Sequence, residues 1–177
     1  QSIVVSSSGS YFVTFSDGSG CTSVSATTAV TVQTAPATPV VTASGPTTFC
    51  SGNTVTLTSS ATTGNVWSNG ETTQSITVAV SGTYTVSVSN GTCSSVSSAT
   101  TITVNPTPTT PTVAASGPTT FCSGGSVTLT SSAATGNIWS NGATTQSIVV
   151  SSSGSYFVTV SDGSGCTSVS ATTAVTV

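Results

Sequence analysis

Residues 146–159 read QSIVVSSSGSYFVT, and this short stretch contains the pattern that decides the fold. Ile148 and Val150 are separated by one residue, a run of serines and a glycine follows, and Tyr156 and Val158 then resume the alternation. Apolar residues at every second position are typical of β-strands with one buried face. The stretch therefore predicts two short strands joined by a turn.

The same fourteen residues open the chain, and a less exact copy begins at Gln74. Residues 1–32 and 146–177 are identical except that Phe15 is replaced by Val160. Copies offset by 73 and then 72 residues indicate a tandem array, which we interpret as a window of a longer repetitive chain. The predicted segments are the C-terminal half of a repeat (1–32) and two whole repeats, each with its N-terminal linker (33–104 and 105–177).

The composition restricts the possible functions. The chain has no Lys, Arg, His or Met, and its only charged side chains are Asp17, Glu71 and Asp162. Since no cation is present to neutralise phosphates, we predict neither nucleic acid nor an anionic membrane surface as a partner. No apolar run approaches the length of a membrane span, so we predict no direct membrane insertion. General acid–base catalysis and the activation of a Ser or Thr nucleophile need His, Lys or a tuned carboxylate. We therefore predict that the chain is not an enzyme and binds no cofactor.

The cysteines recur in register with the repeats. Cys50 is followed 43 residues later by Cys93, and Cys122 is followed 44 residues later by Cys166. We predict one disulfide in each whole repeat, Cys50–Cys93 and Cys122–Cys166, with buried free thiols as the alternative. Cys21 corresponds to Cys166, so its predicted partner precedes residue 1. In a chain-entropy model, closing a loop of about 44 residues stabilises a domain by roughly 4 kcal/mol, and persistent disulfides indicate an oxidising, extracellular location.

Each whole repeat reads as six or seven short strands without any helical period. Val127 and Leu129 alternate with threonine, and Trp139 precedes Asn141-Gly142, a dipeptide typical of tight turns. Short strands with one Trp, one Tyr and one cysteine pair per repeat predict an all-β fold of tandem immunoglobulin-like β-sandwiches. Two short Pro/Thr linkers, QTAPATPV (33–40) and NPTPTTPT (105–112), join the predicted domains.

The aromatic residues fall into two groups. The first is predicted to anchor the cores, with sugar stacking as the alternative for its two tryptophans; it comprises Trp67, Trp139, Tyr11, Tyr84 and Tyr156. Phe12 and Phe157 follow a Tyr directly, so they face the opposite way along a strand. We predict that these two side chains are exposed, which makes them candidates for an interface with a neighbouring repeat or chain. Isolated surface residues, which need no function, are the alternative.

Two turns could suggest ligands. SDGSG, at 16–20 and 161–165, supplies one carboxylate where calcium usually takes several, so we predict a turn and no metal site. Asn90-Gly91-Thr92 matches an N-glycosylation sequon, which we interpret as a chance match. Exposed Ser and Thr could carry O-linked glycans, which would help so uncharged a surface to stay soluble.

The order of these motifs resembles a known family. FCSGGSVTLTSS, NIWSNGATTQSIVV and SGSYFVTVSDGSGC are similar to immunoglobulin-like tandem repeats of large Bacteroidetes cell-surface proteins, some of them gliding-type adhesins. The resemblance covers both whole repeats and the leading half-repeat. It implies export by type IX secretion and a location at the bacterial cell surface.

The sequence thus predicts a structural role. The expected function is a stalk or filament segment of a secreted, repetitive adhesin that supplies reach and rigidity. Its expected partners are neighbouring repeats, with lateral association of identical chains into fibres. A glycan- or surface-binding module is the first alternative, and a short subunit that polymerises by strand complementation is the second.

Overall fold

The structure, a computed structural model, describes all 177 residues and consists of short β-strands without a helix. Residues 1–32 contain β1 (Gly9–Tyr11), β2 (Thr14–Ser16), β3 (Thr22–Val24) and β4 (Thr28–Val30). Residues 33–104 contain β5 (Val41–Ala43), β6 (Thr48–Cys50), β7 (Val55–Ser59), β8 (Asn65–Trp67), β9 (Ser75–Val78), β10 (Gly82–Tyr84), β11 (Val86–Ser89), β12 (Ser94–Val96) and β13 (Thr100–Asn105), the last of which extends into the linker. Residues 105–177 contain β14 (Val113–Ala115), β15 (Val127–Ser131), β16 (Asn137–Trp139), β17 (Ser147–Val150), β18 (Gly154–Tyr156), β19 (Val158–Ser161), β20 (Thr167–Val169) and β21 (Thr173–Val175).

The second whole repeat is a β-sandwich. One sheet has the strand order β14-β15-β17 and the facing sheet has β16-β19-β20, while β18 pairs with β21 as a continuation of the same hairpin. The described pairs in both sheets are antiparallel. β14, β15 and β17 thus form one layer. In the other layer, β16 joins the final hairpin of the repeat, whose two arms are β18–β19 and β20–β21. This division, together with the all-β content, is that of an immunoglobulin-like fold, as the sequence predicted.

The core of this repeat is the set of residues that alternate in the sequence. Leu129 lies opposite Ile148 in the first sheet, and Trp139 lies opposite Val158 in the second. These residues are buried in a single cluster with Val127, Val150 and Val175. Val149, between two core residues on β17, is 71% exposed. The strand period of two therefore decides which side chains enter the core.

A parallel pairing completes the fold. In the first whole repeat, β6 runs parallel to β13, and Cys50 lies opposite Asn105. The second whole repeat keeps one parallel bridge at the equivalent place, between Thr120 and Thr176. The first cysteine of a repeat therefore lies beside the end of the repeat's last strand.

The first whole repeat has the same arrangement of strands. Its sheets have the orders β5-β7-β9, β12-β11-β8 and β10-β13-β6. Residues 1–32 form only the final hairpin, with β1 paired to β4 and β2 paired to β3. The chain also divides into two compact units; the first comprises Gln1–Thr42, Leu57–Ile76 and Tyr84–Thr100, and the second comprises Ala43–Thr56, Thr77–Thr83 and Thr101–Val177.

Candidate functional site

The disulfide is the first feature in which the structure differs from the sequence prediction. Cys50 is bonded to Cys166, with 5.7 Å between their Cα atoms and 116 residues between them in sequence. Cys21, Cys93 and Cys122 are unpaired. The predicted bonds Cys50–Cys93 and Cys122–Cys166 are therefore wrong, and the observed bond joins the first cysteine of one repeat to the second cysteine of the next.

The strand topology explains why a bond within one repeat does not form. The amide of Phe121 donates to the carbonyl of Thr176 at 3.1 Å, which places Cys122 beside the end of the last strand. Cys166 directly precedes β20, the first of the two successive strands β20 and β21, and lies ten residues before Thr176. Ten extended residues span roughly 33 Å, whereas bonded cysteines need Cα atoms within about 7 Å. Each repeat thus carries its two cysteines at opposite ends.

The Cys50–Cys166 bond lies where the chain leaves one repeat and enters the next. Both cysteines and the linker 105–112 belong to the second compact unit. The amide of Ser51 donates to the carbonyl of Asn105 at 2.8 Å, and the amide of Thr107 donates to Oγ of Ser51 at 3.2 Å. Further along the linker, Oγ of Ser168 donates to the carbonyl of Pro108 at 2.6 Å. Hydrogen bonds and the disulfide together hold this linker against the segments on either side.

The linker at 33–40 has a matching set of contacts, all within the first compact unit. Oγ of Ser95 donates to the carbonyl of Pro36 at 2.7 Å, and Nδ2 of Asn90 donates to the carbonyl of Thr34 at 2.9 Å. The thiol of Cys93 lies 3.7 Å from the carbonyl of Gln33. Both linkers are therefore fastened to the final hairpin of the repeat that they introduce.

The residues predicted as core anchors are buried to different degrees. Trp67 and Trp139 are each 2% exposed, and their indole N–H groups donate to the carbonyls of Thr73 and Thr145 at 2.8 and 2.9 Å. A tryptophan with both faces covered and its N–H already paired has no surface for stacking a sugar. The three tyrosines, Tyr11, Tyr84 and Tyr156, are half-buried.

Two of the tyrosines stabilise a turn. The hydroxyl of Tyr11 donates to the carbonyl of Ser7 at 2.9 Å, and that of Tyr156 donates to Ser152 at 3.2 Å. A Cβ at Gly154 would lie 3.3 Å from the ring of Tyr156, so the ring packs across this glycine. The Gly-x-Tyr spacing is thus explained by the same-face contact of residues two apart on a strand.

The two phenylalanines predicted to face outward are exposed. Phe12 is 61% exposed and Phe157 is 36% exposed. Phe12 also borders an open groove of about 300 Å³ in the first compact unit, lined by Ile3, Val5, Tyr11, Phe12, Val13, Ser25, Thr28 and Val30. The groove walls are mostly apolar and include no charged side chain.

Asp162 orients the turn that precedes Cys166. Its Oδ1 accepts hydrogen bonds from the hydroxyl and amide of Ser164 at 2.7 and 2.9 Å, and from the amide of Cys166 at 3.0 Å. The hydrogen bond from the Ser164 side chain is the main reason why the pKa of Asp162 is lowered. Stabilisation of the charged form by donors is the expected cause of such a shift. The carboxylate is therefore a turn acceptor, and no group of three or more potential metal ligands is present.

Asn90 has the same role in the first whole repeat. Its Oδ1 accepts from the amides of Thr92 and Cys93 at 3.2 and 2.9 Å, while Nδ2 donates to Thr34. An N-linked glycan on Nδ2 would have to break the contact with the linker. The structure thus gives a local reason against modification at this sequon.

No family model and no curated protein matches this chain. Among solved structures, a chain from the complex of the mouse coronavirus receptor-binding domain with its murine receptor is 15% identical, with a TM-score of 0.41, and covers 77% of this chain and 98% of its own length. The human OSCAR ligand-binding domain is 12% identical, with a TM-score of 0.32, and covers 78% and 98%. The structure contains no helix that could span a membrane.

Proposed function

We propose that this chain is a structural stalk or filament segment of a secreted, repetitive bacterial cell-surface adhesin. In this role the immunoglobulin-like repeats supply reach, and their fastened linkers supply rigidity. The proposal rests mainly on one observation: both linkers are bound at equivalent points, through Ser95 to Pro36 and through Ser168 to Pro108. A flexible tether would not need a repeated side-chain contact at each linker.

The disulfide and the composition both support a location outside the cell. A disulfide that links distant segments persists in an oxidising compartment. The chain has no Lys or Arg, so trypsin-like proteases have no cleavage site. With a net charge of −3 over 177 residues, repulsion between like charges is weak, and lateral association of identical chains is part of the proposal.

The proposal also includes the family resemblance of the motifs. Repeats with the order FCSGGSVTLTSS, NIWSNGATTQSIVV and SGSYFVTVSDGSGC are proposed to belong to a Bacteroidetes surface protein exported by type IX secretion. O-linked glycans on outward-facing Thr and Ser would keep such a surface hydrated. Phe12 and Phe157 are the proposed contacts to neighbouring repeats or chains, since both are exposed.

An antiserum raised against the purified chain would test the stalk proposal on cells of the source organism. We expect the antigen to be removed from intact cells by proteinase K. We also expect it to migrate on a reducing denaturing gel as a species much larger than the 17.1 kDa of this chain. An antigen protected inside intact cells, or a reduced species near 17.1 kDa, would contradict the proposal.

A further inference from the structure

The three unpaired cysteines occupy the same two positions as the bonded pair. Cys122 follows Cys50 by 72 residues and has the same place in its repeat. Cys93 and Cys21 precede Cys166 by 73 and 145 residues, and each of the three lies directly before the second-last strand of its repeat (β12, β3 and β20). Each whole repeat therefore carries one cysteine of each kind, and the half-repeat carries one of the second kind; we name them the first cysteine (Cys50, Cys122) and the second cysteine (Cys21, Cys93, Cys166).

The surroundings of Cys93 match those of Cys166. Cys93 is half-buried, its amide donates to Asn90, and the linker that precedes its repeat is held by Ser95. Cys166 is buried, its amide donates to Asp162, and the preceding linker is held by Ser168. At the Cys50–Cys166 bond, the first cysteine of the preceding repeat is Cys50, and it lies next to the linker 105–112. Cys93 is therefore placed to meet the first cysteine of a repeat on its own N-terminal side.

The surroundings of Cys122 match those of Cys50. In both cases the cysteine carbonyl accepts a hydrogen bond three residues on, from Asn53 at 3.2 Å or from Gly125 at 3.1 Å. Cys122 is exposed and lies beside the end of the last strand of its repeat. Cys50 has the same position in the first whole repeat. The first cysteine of the second whole repeat is thus presented in the way that Cys50 is presented to Cys166.

We propose that the cysteines form a staggered ladder, in which the first cysteine of each repeat is bonded to the second cysteine of the following repeat. The partner of Cys122 would be the second cysteine of a repeat on its C-terminal side, and the partner of Cys93 the first cysteine of a repeat on its N-terminal side. The partner class is a further repeat of this sequence type. This inference goes beyond the proposed function, since it concerns covalent links between repeats wherever the protein is located.

The bond-forming step needs an oxidant. Two thiols lose two protons and two electrons when they form one disulfide, and a small-molecule disulfide such as oxidised glutathione accepts them and is released as two thiols. The first thiolate attacks the oxidant to form a mixed disulfide. The second thiolate then displaces glutathione from it.

A chain lengthened by one repeat tests the ladder. A second copy of residues 105–177 is attached after Val177, the protein is folded in a glutathione redox buffer, and free thiols are alkylated before peptic digestion and mass spectrometry. We expect Cys50–Cys166 to persist and Cys122 to bond to the second cysteine of the added copy. The alkylated fraction of Cys122 should fall from nearly complete in the original chain to nearly zero.

The control is Cys122→Ser in the lengthened chain, in which the second cysteine of the added copy should become alkylated while Cys50–Cys166 is unchanged. A Cys122 that stays alkylated in the lengthened chain would overturn the ladder, as would bonds within single repeats. Peptide mapping of the original chain is a second measurement, independent of whether the added copy folds. Bonds Cys50–Cys93 and Cys122–Cys166 in that map would also overturn it.

Discussion

Among the individual residues, Gly136 and Asn137 show how closely the turn before β16 is determined. Asn137 is buried, and its Nδ2 donates to the carbonyl of Ala133 at 3.0 Å, which closes the loop after β15. Gly136 has a φ of 75°, a left-handed conformation that side chains disfavour. A Cβ at this glycine would collide with the carbonyl oxygen of Ser161. Glycine is thus required twice over, by conformation and by space.

Alanine substitutions at Gly136 and Gly142 separate the conformational requirement for glycine from the steric one. Gly136→Ala should lower the free energy of unfolding by about 3 kcal/mol or more, because left-handed strain and the displacement of Ser161 add together. Gly142 has a φ of 87° but no atom near its potential Cβ, so Gly142→Ala should cost only the strain, about 1–2 kcal/mol. Urea unfolding followed by Trp fluorescence measures both. Equal costs would contradict the collision.

The free energy of unfolding should depend on pH through two aspartates, Asp17 and Asp162. Hydrogen bonds from the side chains of Ser19 and Ser164 are the main cause of the lowered pKa of Asp17 and Asp162. A carboxyl whose folded pKa lies below its ordinary value of 3.8 stabilises the fold above that value and loses this contribution as the pH falls. Urea midpoints should therefore drop between pH 6 and about pH 2. The double variant Asp17→Asn and Asp162→Asn keeps an acceptor oxygen, and its midpoint should drop less; an equal drop would contradict the assignment.

Among the strands, β17 shows the alternation most clearly. Ile148 and Val150 are buried in the core cluster, and Val149 between them is 71% exposed. The same pattern holds on β15, where Val127, Leu129 and Ser131 are buried. Because a slip of one residue would exchange the buried and exposed sets, the core itself holds the register of these strands.

Adjacent substitutions on β17 should therefore differ sharply. Ile148→Ala should lower the free energy of unfolding by about 2–5 kcal/mol, since it removes buried methyl groups and leaves a cavity. Val149→Thr keeps a β-branched side chain on the exposed face and should change stability by no more than about 0.5 kcal/mol. Thermal unfolding followed by circular dichroism compares the two variants. Similar effects would mean that the strand is out of register with this structure.

For the chain as a whole, the long-range disulfide is the main covalent constraint. It links Cys50 to Cys166 across 116 residues, within the compact unit that combines Ala43–Thr56, Thr77–Thr83 and Thr101–Val177. The compact units do not coincide with the sequence repeats, since each takes in part of residues 33–104. The disulfide therefore links the first whole repeat covalently to the second.

Single cysteine variants test this constraint. Cys50→Ser should destabilise the chain by about 2–5 kcal/mol, the usual cost of removing a disulfide that closes a long loop. Cys122→Ser removes only an exposed thiol and should have an effect within about 0.5 kcal/mol. Urea unfolding without reductant compares the two variants, and reduction should make Cys50→Ser and the unmodified chain equally stable. An equal loss for Cys122→Ser would favour bonds within repeats.

The sequence alone determined the strand content and most of the core. Val127, Leu129, Ile148 and Trp139 were identified because alternation in a strand depends only on neighbouring residues. It also determined the repeat length and the outward direction of Phe12 and Phe157. All of these features are local, so no knowledge of distant contacts was needed.

The partner of each cysteine was decided only by the tertiary structure. Equal spacing in two repeats suggested bonds within each repeat, but spacing does not measure distance in space. The parallel pairing of β6 with β13 places Cys50 beside Asn105, at the end of β13 and next to the linker, whereas Cys93 precedes β12, twelve residues before Asn105. A disulfide forms only between cysteines that the fold brings together, and that proximity arises here between segments 116 residues apart.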